Sequence, residues 1–519
     1  MNMLGSLVLG VVLPVAEPVI EADFVLRGAT LYDGTAAPGV QGDLAIKGER
    51  IVAVGRFATA GKPTILDATG LVVAPGFIDL HTHSDYPLGR PATRANRNYL
   101  FQGVTTVVTG NCGSGPVDTA DYFAGLMKNG IGTNVIHQAP HNDIRRKVMG
   151  NVNRAPTAEE LQKMEALVDK AMRDGAWGLS TGLIYNPGTY SKTDELIVLA
   201  KVAAKHRGFY ASHIRDENVQ VLEATDEAIR IGREAGLPVH ISHMKASGRN
   251  VWGKSADQIA LVERARKAGQ VVTADQYPYV ASSTSLAATV VPPRYREGSR
   301  DDFQARLKNE DLGPRIRKAI ELSLVEKDGG KAVRIASYPP KPAWRGKDLA
   351  AIAKMEDKTS LEIVLEIERN GGAQIVNFGM SEEDVRLIMK QTWVATASDG
   401  GSMVPTETVP HPRSYGCFPR KIGRYALDEK LVTLEHALRS ASGLPADVLH
   451  LPERGYLKAG YYADVVAFDP ATFRDKATFD EPHQYAPGVR YLFVNGKLAI
   501  DAGKYTDVLA GKVLRHGSK

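Results

Sequence analysis

Cysteine is scarce in this chain: two among 519 residues, Cys112 and Cys417. That excludes a disulfide framework and leaves room for one bridge at most. A membrane span is also lacking. The apolar stretch near the start, Leu4 to Ala16, is too short to cross a bilayer. It has the length of a signal-peptide core and ends on a small residue, but no Lys or Arg precedes it and Pro14 interrupts it. The expected location is the cytoplasm, with the periplasm or secretion the alternative if residues 1–16 act as a signal. Runs of like charge are absent. Lys and Arg are interspersed with Asp and Glu, and the net charge is only +5, so neither nucleic acid nor a membrane is an expected partner. There is no internal repeat. What remains is ordinary globular composition, 43% hydrophobic and 24% charged, with material for a large core. The length suits two to four domains, or one large barrel with a smaller module.

The two ends share a texture of short strands. Phe24 to Leu26, Asp43 to Ile46 and Ile51 to Val54 are strand-like, with a turn at Lys47-Gly48-Glu49. Near the other end, Ala463 to Phe468 reads as a strand and Val489 to Ile500 as a hairpin turning at Asn495-Gly496. Neither end has enough strands for its own core, so the expectation is that they pair into one small β-domain (residues 22–75 and 451–519), preceded by an extension over 1–21. The centre, 76–450, alternates strands and helices, which predicts a parallel sheet with crossover helices. Eight strand candidates are Val72 to Leu80, Thr105 to Thr109, Asn134 to Gln138, Gly178 to Thr181, Phe209 to His213, Val239 to His243, Val271 to Asp275 and Val394 to Ser398. Thr157-Ala158-Glu159-Glu160 opens a helix as a capping box. Further helices are expected over Glu195 to Lys205, Glu217 to Ala235 and Ala256 to Ala268. Eight strand–helix units predict an α/β protein with a (β/α)8, TIM-like barrel. An open doubly wound sheet is the alternative, but no Gly-rich phosphate fingerprint follows the first strand. Residues 284–372 form an insertion between strands seven and eight, either a lid at the barrel mouth or a surface appendage.

Polar residues gather at the expected strand ends. His81-Thr82-His83 follows strand one, and two imidazoles one residue apart on an extended chain face the same way. Gly110-Asn111-Cys112-Gly113 follows strand two, His213 strand five, His243 strand six and Asp399 strand eight. In a barrel these ends converge on one rim. Four histidines, a cysteine and an aspartate at matching ends point to a metal site. Taken singly, each also has a plain reading: Asp399 before Gly400 suits a turn, and Cys112 suits a small buried hydrophobe.

The chain resembles the amidohydrolase superfamily, and within it the D-aminoacylase family of N-acyl-D-amino-acid deacylases. The resemblance covers nearly the whole chain. It is carried by Gly76 to Asp85, Thr109 to Gly113, Gly175 to Tyr185, Ser212 to Glu217, Ser242 to Lys245, Asp275 to Tyr279, His411 to Arg413 and Gly460 to Asp464. It implies a barrel with a small β-sandwich built from both chain ends. It further implies one tight Zn2+ held by Cys112, His213 and His243, and a second, weaker position at His81, His83 and Asp399. Many amidohydrolases bridge two metals with a lysine at the end of strand four. Here that strand ends Leu179-Ser180-Thr181-Gly182, which counts against hydantoinase-like and dihydroorotase-like activities. Asp399 would be the general base, and Lys245, Tyr277, Ser283 and Arg413 resemble the family's set for a substrate carboxylate. The implied reaction is hydrolysis of the amide of a small N-acyl-D-amino acid; D-selectivity rests on the resemblance alone. Cyclic-amide or dipeptide hydrolysis is the alternative, and a non-catalytic scaffold the remote one. Oligomeric state is not legible.

Overall fold

The computed structural model describes residues 17–517; the apolar stretch from Leu4 to Ala16 lies outside the described residues. Strands from both ends share one mixed sheet. The first part of the chain supplies Phe24–Leu31, Val40–Lys47, Arg50–Gly55, Thr64–Asp67 and Val72–Pro75, and the last part Val465–Phe468, Val489–Val494, Lys497–Asp501 and Lys504–Tyr505. The seam is antiparallel, with Val465 opposite Pro75 and Phe468 opposite Val72. Leu26, Leu44, Ile46, Val73, Val465 and Phe493 meet in one apolar cluster drawn from both ends. Asn495 (φ 48°) and Gly496 (φ 72°) are both left-handed, as a two-residue hairpin of the matching twist requires.

The apolar run expected as one strand over Val72 to Leu80 is two. Val72–Pro75 stays in the mixed sheet, whereas Phe77–Asp79 joins a parallel ladder. The change of sheet falls at Gly76: its amide donates to the Asp464 carbonyl at 2.8 Å, and the next, Phe77, to the Gly103 carbonyl at 2.9 Å; a Cβ at Gly76 would collide with the Thr105 side chain. The parallel strands are β1 Phe77–Asp79, β2 Val104–Thr109, β3 Asn134–His137, β4 Gly178–Gly182, β5 Phe209–His213, β6 Val239–Ile241, β7 Val272–Gln276 and β8 Val394–Thr396. Ala139–Pro140 carries β3 onward to reach β4. Each strand pairs in parallel with the next. Beyond the ends of β8 and β1, Gly400 and Thr82 form a parallel bridge, with the Asp399 amide donating to the His81 carbonyl at 2.8 Å. All eight strands are buried along their length, as expected for parallel strands covered on both faces. Helices Ala158–Arg173, Thr193–Lys205, Val221–Ala235 and Ser255–Lys267 follow in turn, the first through the predicted capping box. The third begins at Val221 rather than Glu217. Asp216 accepts the Asn218 amide at 2.6 Å and holds a turn there, leaving Glu217 free to face the site.

Between β7 and β8 the chain builds a folded layer of its own. Ser282–Ser285 and Val333–Ser337 flank Gln374–Asn377 in an antiparallel sheet. Leu286, Ile316, Ile320, Ile335, Trp344 and Ile363 pack behind it. The layer therefore runs a few residues beyond the expected 284–372 at both ends, because its first strand, Ser282–Ser285, pairs with its last, Gln374–Asn377.

Candidate metal centre

Close backbone approaches hold the loops after the parallel strands. At Gly110 (φ 76°) a Cβ would run into the Gln138 carbonyl, and at Gly182 into the Cys112 carbonyl. The end of β4, where a lysine is missing, is thus the floor under the cysteine loop: Ser180 Oγ accepts the Gly113 amide at 3.1 Å and donates to the Gly110 carbonyl. Three candidate site residues are non-glycine residues in the left-handed region: Cys112 (φ 52°), His243 (φ 36°) and Asp399 (φ 50°). Such backbone costs on the order of 1–3 kcal/mol per residue and persists where surrounding structure enforces it, often at functional sites.

The strand ends bring the predicted donors together. Cys112 Sγ lies 3.3 Å from His81 Nε2, 3.6 Å from His213 Nδ1 and 3.6 Å from His243 Nε2. Asp399 Oδ1 lies 3.1 Å from His83 Nε2 and 3.6 Å from His81 Nε2. Among the described residues, three groups have all their donor atoms within 4.8 Å of one another: His81, Cys112 and His243; His81, His83 and Asp399; and His213, Glu217 and His243. The residues fit a metal by chemistry as well as spacing. A buried thiol ringed by three imidazole nitrogens, beside a carboxylate, is a soft and borderline donor set suited to zinc. His213 Nε2 is buried without a hydrogen bond, although Glu217 faces it at 3.7 Å.

Two acids that the sequence does not single out as site residues stand beside the donors. Asp275, on β7, accepts from His81 Nδ1 at 3.3 Å and His240 Nε2 at 2.9 Å through Oδ2, and from the His243 amide at 2.7 Å through Oδ1. It therefore turns His81 Nε2 toward Cys112. Glu217 Oε1 lies 3.1 Å from His243 Nδ1 and accepts from Lys245 Nζ at 2.6 Å. A signal for both is present in the chain: acidic residues immediately beside ligand-bearing or ligand-facing strand ends. The expected helix start conceals Glu217.

Burial and the neighbouring charges set the protonation of the cluster. Burial pushes His81 down to about 4 and His213 well below the usual imidazole value, so both are neutral and able to ligate. Burial also raises the Cys112 thiol; a bound zinc would reverse that by stabilising the thiolate. For Asp399, burial acts to raise the carboxyl, but Arg413, followed by the histidines, outweighs it and holds the group well below the usual range. His83, whose side chain is 39% exposed, is raised, its partial burial outweighed by the Asp399 carboxylate.

The four expected carboxylate-binding residues surround the same space. Arg413 Nη1 donates to Asp399 Oδ2 at 2.6 Å, and its Nη2 to the Ser283 carbonyl at 3.1 Å. The Arg413 guanidinium lies 5.0 Å from the centre of the Tyr277 ring and the Lys245 ammonium 5.5 Å from it. The Tyr277 hydroxyl is buried without a hydrogen bond. Two cavities meet at Asp399, Tyr185, Ser283 and Thr284. One, of about 260 Å³, also reaches His213, His243, Lys245 and Tyr277. The other, of about 600 Å³, reaches His83, Cys112, His411 and Arg413. Cys417 is buried and free, 3.9 Å from the Ser398 carbonyl and away from the donors.

A cluster of candidate metal ligands at the ends of parallel strands is what a metal-dependent hydrolase needs, and comparison with known proteins gives the class. The profile of the amidohydrolase family matches residues 64–500. D-aminoacylase of Alcaligenes xylosoxydans xylosoxydans is 37% identical over 95% of this chain and 97% of its own. The N-acyl-D-aspartate deacylase of the same organism is 35% identical over 96% of each chain. Among solved structures, that of D-aminoacylase superimposes with a TM-score of 0.82 at 36% identity, covering 95% of this chain and 100% of the other. N-acyl-D-glutamate deacylase from Bordetella bronchiseptica, solved with zinc and a phosphonate mimic of the tetrahedral intermediate, gives 0.81 at 33% identity, covering 96% and 100%. The chain belongs to the amidohydrolase family and, within it, to the D-aminoacylase group of N-acyl-D-amino-acid deacylases. Among the described residues no helix is long and apolar enough to cross a membrane.

Proposed function

We propose that this chain hydrolyses N-acyl-D-amino acids, with a zinc ion held by Cys112, His213 and His243 and a second, weaker position at His81, His83 and Asp399. The closed parallel order, completed by the Thr82–Gly400 bridge, supports a (β/α)8 barrel whose strand ends carry the site; the shared sheet supports one small β-domain built from both ends. When bound, zinc supplies Lewis acidity toward the amide carbonyl and a lowered pKa for water. The protein's own residues do the rest. Asp399 is the general base: it takes a proton from the attacking water and passes it to the leaving amine nitrogen. Lys245, Tyr277, Ser283 and Arg413 hold the substrate carboxylate, the Arg fork suiting two oxygens at once. Fixing carboxylate and amide together leaves one direction for the side chain, which is how such a site selects configuration.

The observation that carries the reading is Asp399, shared between His83 on one side and Arg413 on the other, at the meeting of both cavities. The test is release of free amino acid from paired N-acetyl-D- and N-acetyl-L-amino acids, with zinc determined on the same sample. Turnover confined to the D series on zinc-containing protein is expected. Turnover of hydantoins or dihydroorotate instead, with neither acyl series cleaved, overturns it.

A further inference from the structure

The two histidines that face the cysteine from β5 and β6 are held in opposite senses. His213 turns Nδ1 toward Cys112, and His243 turns Nε2 toward it, both at 3.6 Å. The remaining nitrogens, His213 Nε2 and His243 Nδ1, face one atom, Glu217 Oε1, at 3.7 and 3.1 Å. Each ring thus stands between the thiol and the same carboxylate oxygen. A neutral imidazole carries its proton on either nitrogen, and the hydrogen bond made by one nitrogen decides whether the other has a lone pair to offer. The two rings need opposite tautomers to ligate at the cysteine side. An acceptor common to the two outer nitrogens selects both.

We infer that Glu217 is a positioning residue for the metal: it accepts from His243 Nδ1–H and faces His213 Nε2–H, so that His243 Nε2 and His213 Nδ1 are the ligating atoms. This rests on the zinc reading above. Lys245 completes the arrangement. Its Nζ donates to the same Oε1 at 2.6 Å and to the His243 carbonyl at 2.7 Å; it also lies 2.6 Å from His243 Nδ1, where an ammonium can only donate, so the Nδ1–H tautomer requires Lys245 to keep to these two oxygens. A carboxylate only 12% exposed needs a compensating charge, and Lys245 supplies it. Lys245 is therefore engaged with Glu217 before any substrate arrives, and its role in gripping a substrate carboxylate is shared with this one.

The test is Glu217→Gln, which keeps the shape but puts an amide where both rings face a carboxylate. Zinc affinity is measured on the folded protein by competition with a chelator, and cobalt is substituted to read the thiolate band in the visible spectrum. A 10- to 100-fold loss of zinc affinity, the range for mutating the partner behind a ligating histidine, with an altered cobalt band is expected, at a melting temperature of the metal-free protein close to that of the parent. A melting temperature that falls while zinc affinity stays within about twofold marks a structural role and overturns the inference. Loss of one whole equivalent of zinc, with the other held as tightly as before, makes Glu217 a direct ligand and also overturns it. If the lone glutamine variant fails to fold, Glu217→Gln with Lys245→Met removes both charges of the buried pair. Zinc affinity is then read on that double variant: a 10- to 100-fold loss supports the inference, and an affinity within about twofold of the parent overturns it. No substrate is involved, so an inactive but zinc-binding parent leaves this inference standing while the deacylase reading falls; a parent that binds no zinc removes both.

Discussion

Arg413 Nη1 donates to Asp399 Oδ2 at 2.6 Å, with both side chains buried. The residue expected to grip the substrate carboxylate thus also sets the charge of the residue expected to act as base. Asp399 is depressed despite its burial, chiefly by this guanidinium. A base must be ionised to work, so activity falls as pH drops through its pKa. Arg413→Met removes the depressing charge and raises that pKa. The acid limb of the kcat/KM profile should move to higher pH, with a raised KM, and Arg413→Lys should restore part of the shift. An acid limb that stays in place in Arg413→Met would show that Asp399 does not set it.

Asp399→Ala should leave zinc content largely intact and lower kcat by about 10²–10⁴-fold, the usual worth of a positioned acid–base group. Undiminished kcat would remove Asp399 from the mechanism.

Cys112→Ala removes the sulfur that faces three imidazoles. Zinc bound after dialysis should fall to a small fraction of the parent level. Unchanged zinc content by atomic absorption would refute its role as a ligand.

Glu368, in helix Ser360–Arg369 of the insertion, is buried with Oε1 unpaired. Burial pushes it up to about 7 from 4.5, against the pull of Arg300 and Arg296. The folded state therefore binds its proton more tightly than the unfolded state does. This group costs nothing below pH about 4, and stability is lost as pH rises from there through about 7. Glu368→Gln removes that loss. Its melting temperature should match the parent at pH 4 and exceed it at pH 8, by the equivalent of at most about 3 kcal/mol. Equal melting temperatures at pH 8 would show that the carboxylate is solvated there.

Much of this architecture is legible in the chain. Seven of the eight strand candidates coincide with parallel strands, because buried strands read as short apolar runs between turn signals. The Thr157 capping box and the Asn495-Gly496 hairpin are local, and local hydrogen bonds decide them. Where structure and expectation part, the sequence signal is local and the cause is tertiary. Val72 to Leu80 looks like one strand, and only the partners of consecutive amides, Asp464 for Gly76 and Gly103 for Phe77, show that it divides between two sheets. The helix expected from Glu217 starts four residues later because Asp216 caps a turn and Glu217 has partners 26 and 28 residues away, His243 and Lys245.

The sequence by itself determined the identities and order of the candidate donors: His81, His83, Cys112, His213, His243 and Asp399, each at the end of an apolar run. Side-chain chemistry and strand periodicity are properties of short segments, so they can be read without coordinates. Only the tertiary structure decided which nitrogen of each histidine faces the cysteine, that Arg413 is paired with Asp399, and that Glu217 and Asp275 stand behind the imidazoles. Those relations join residues far apart in the chain across a few ångströms, and the packing of the strands fixes them.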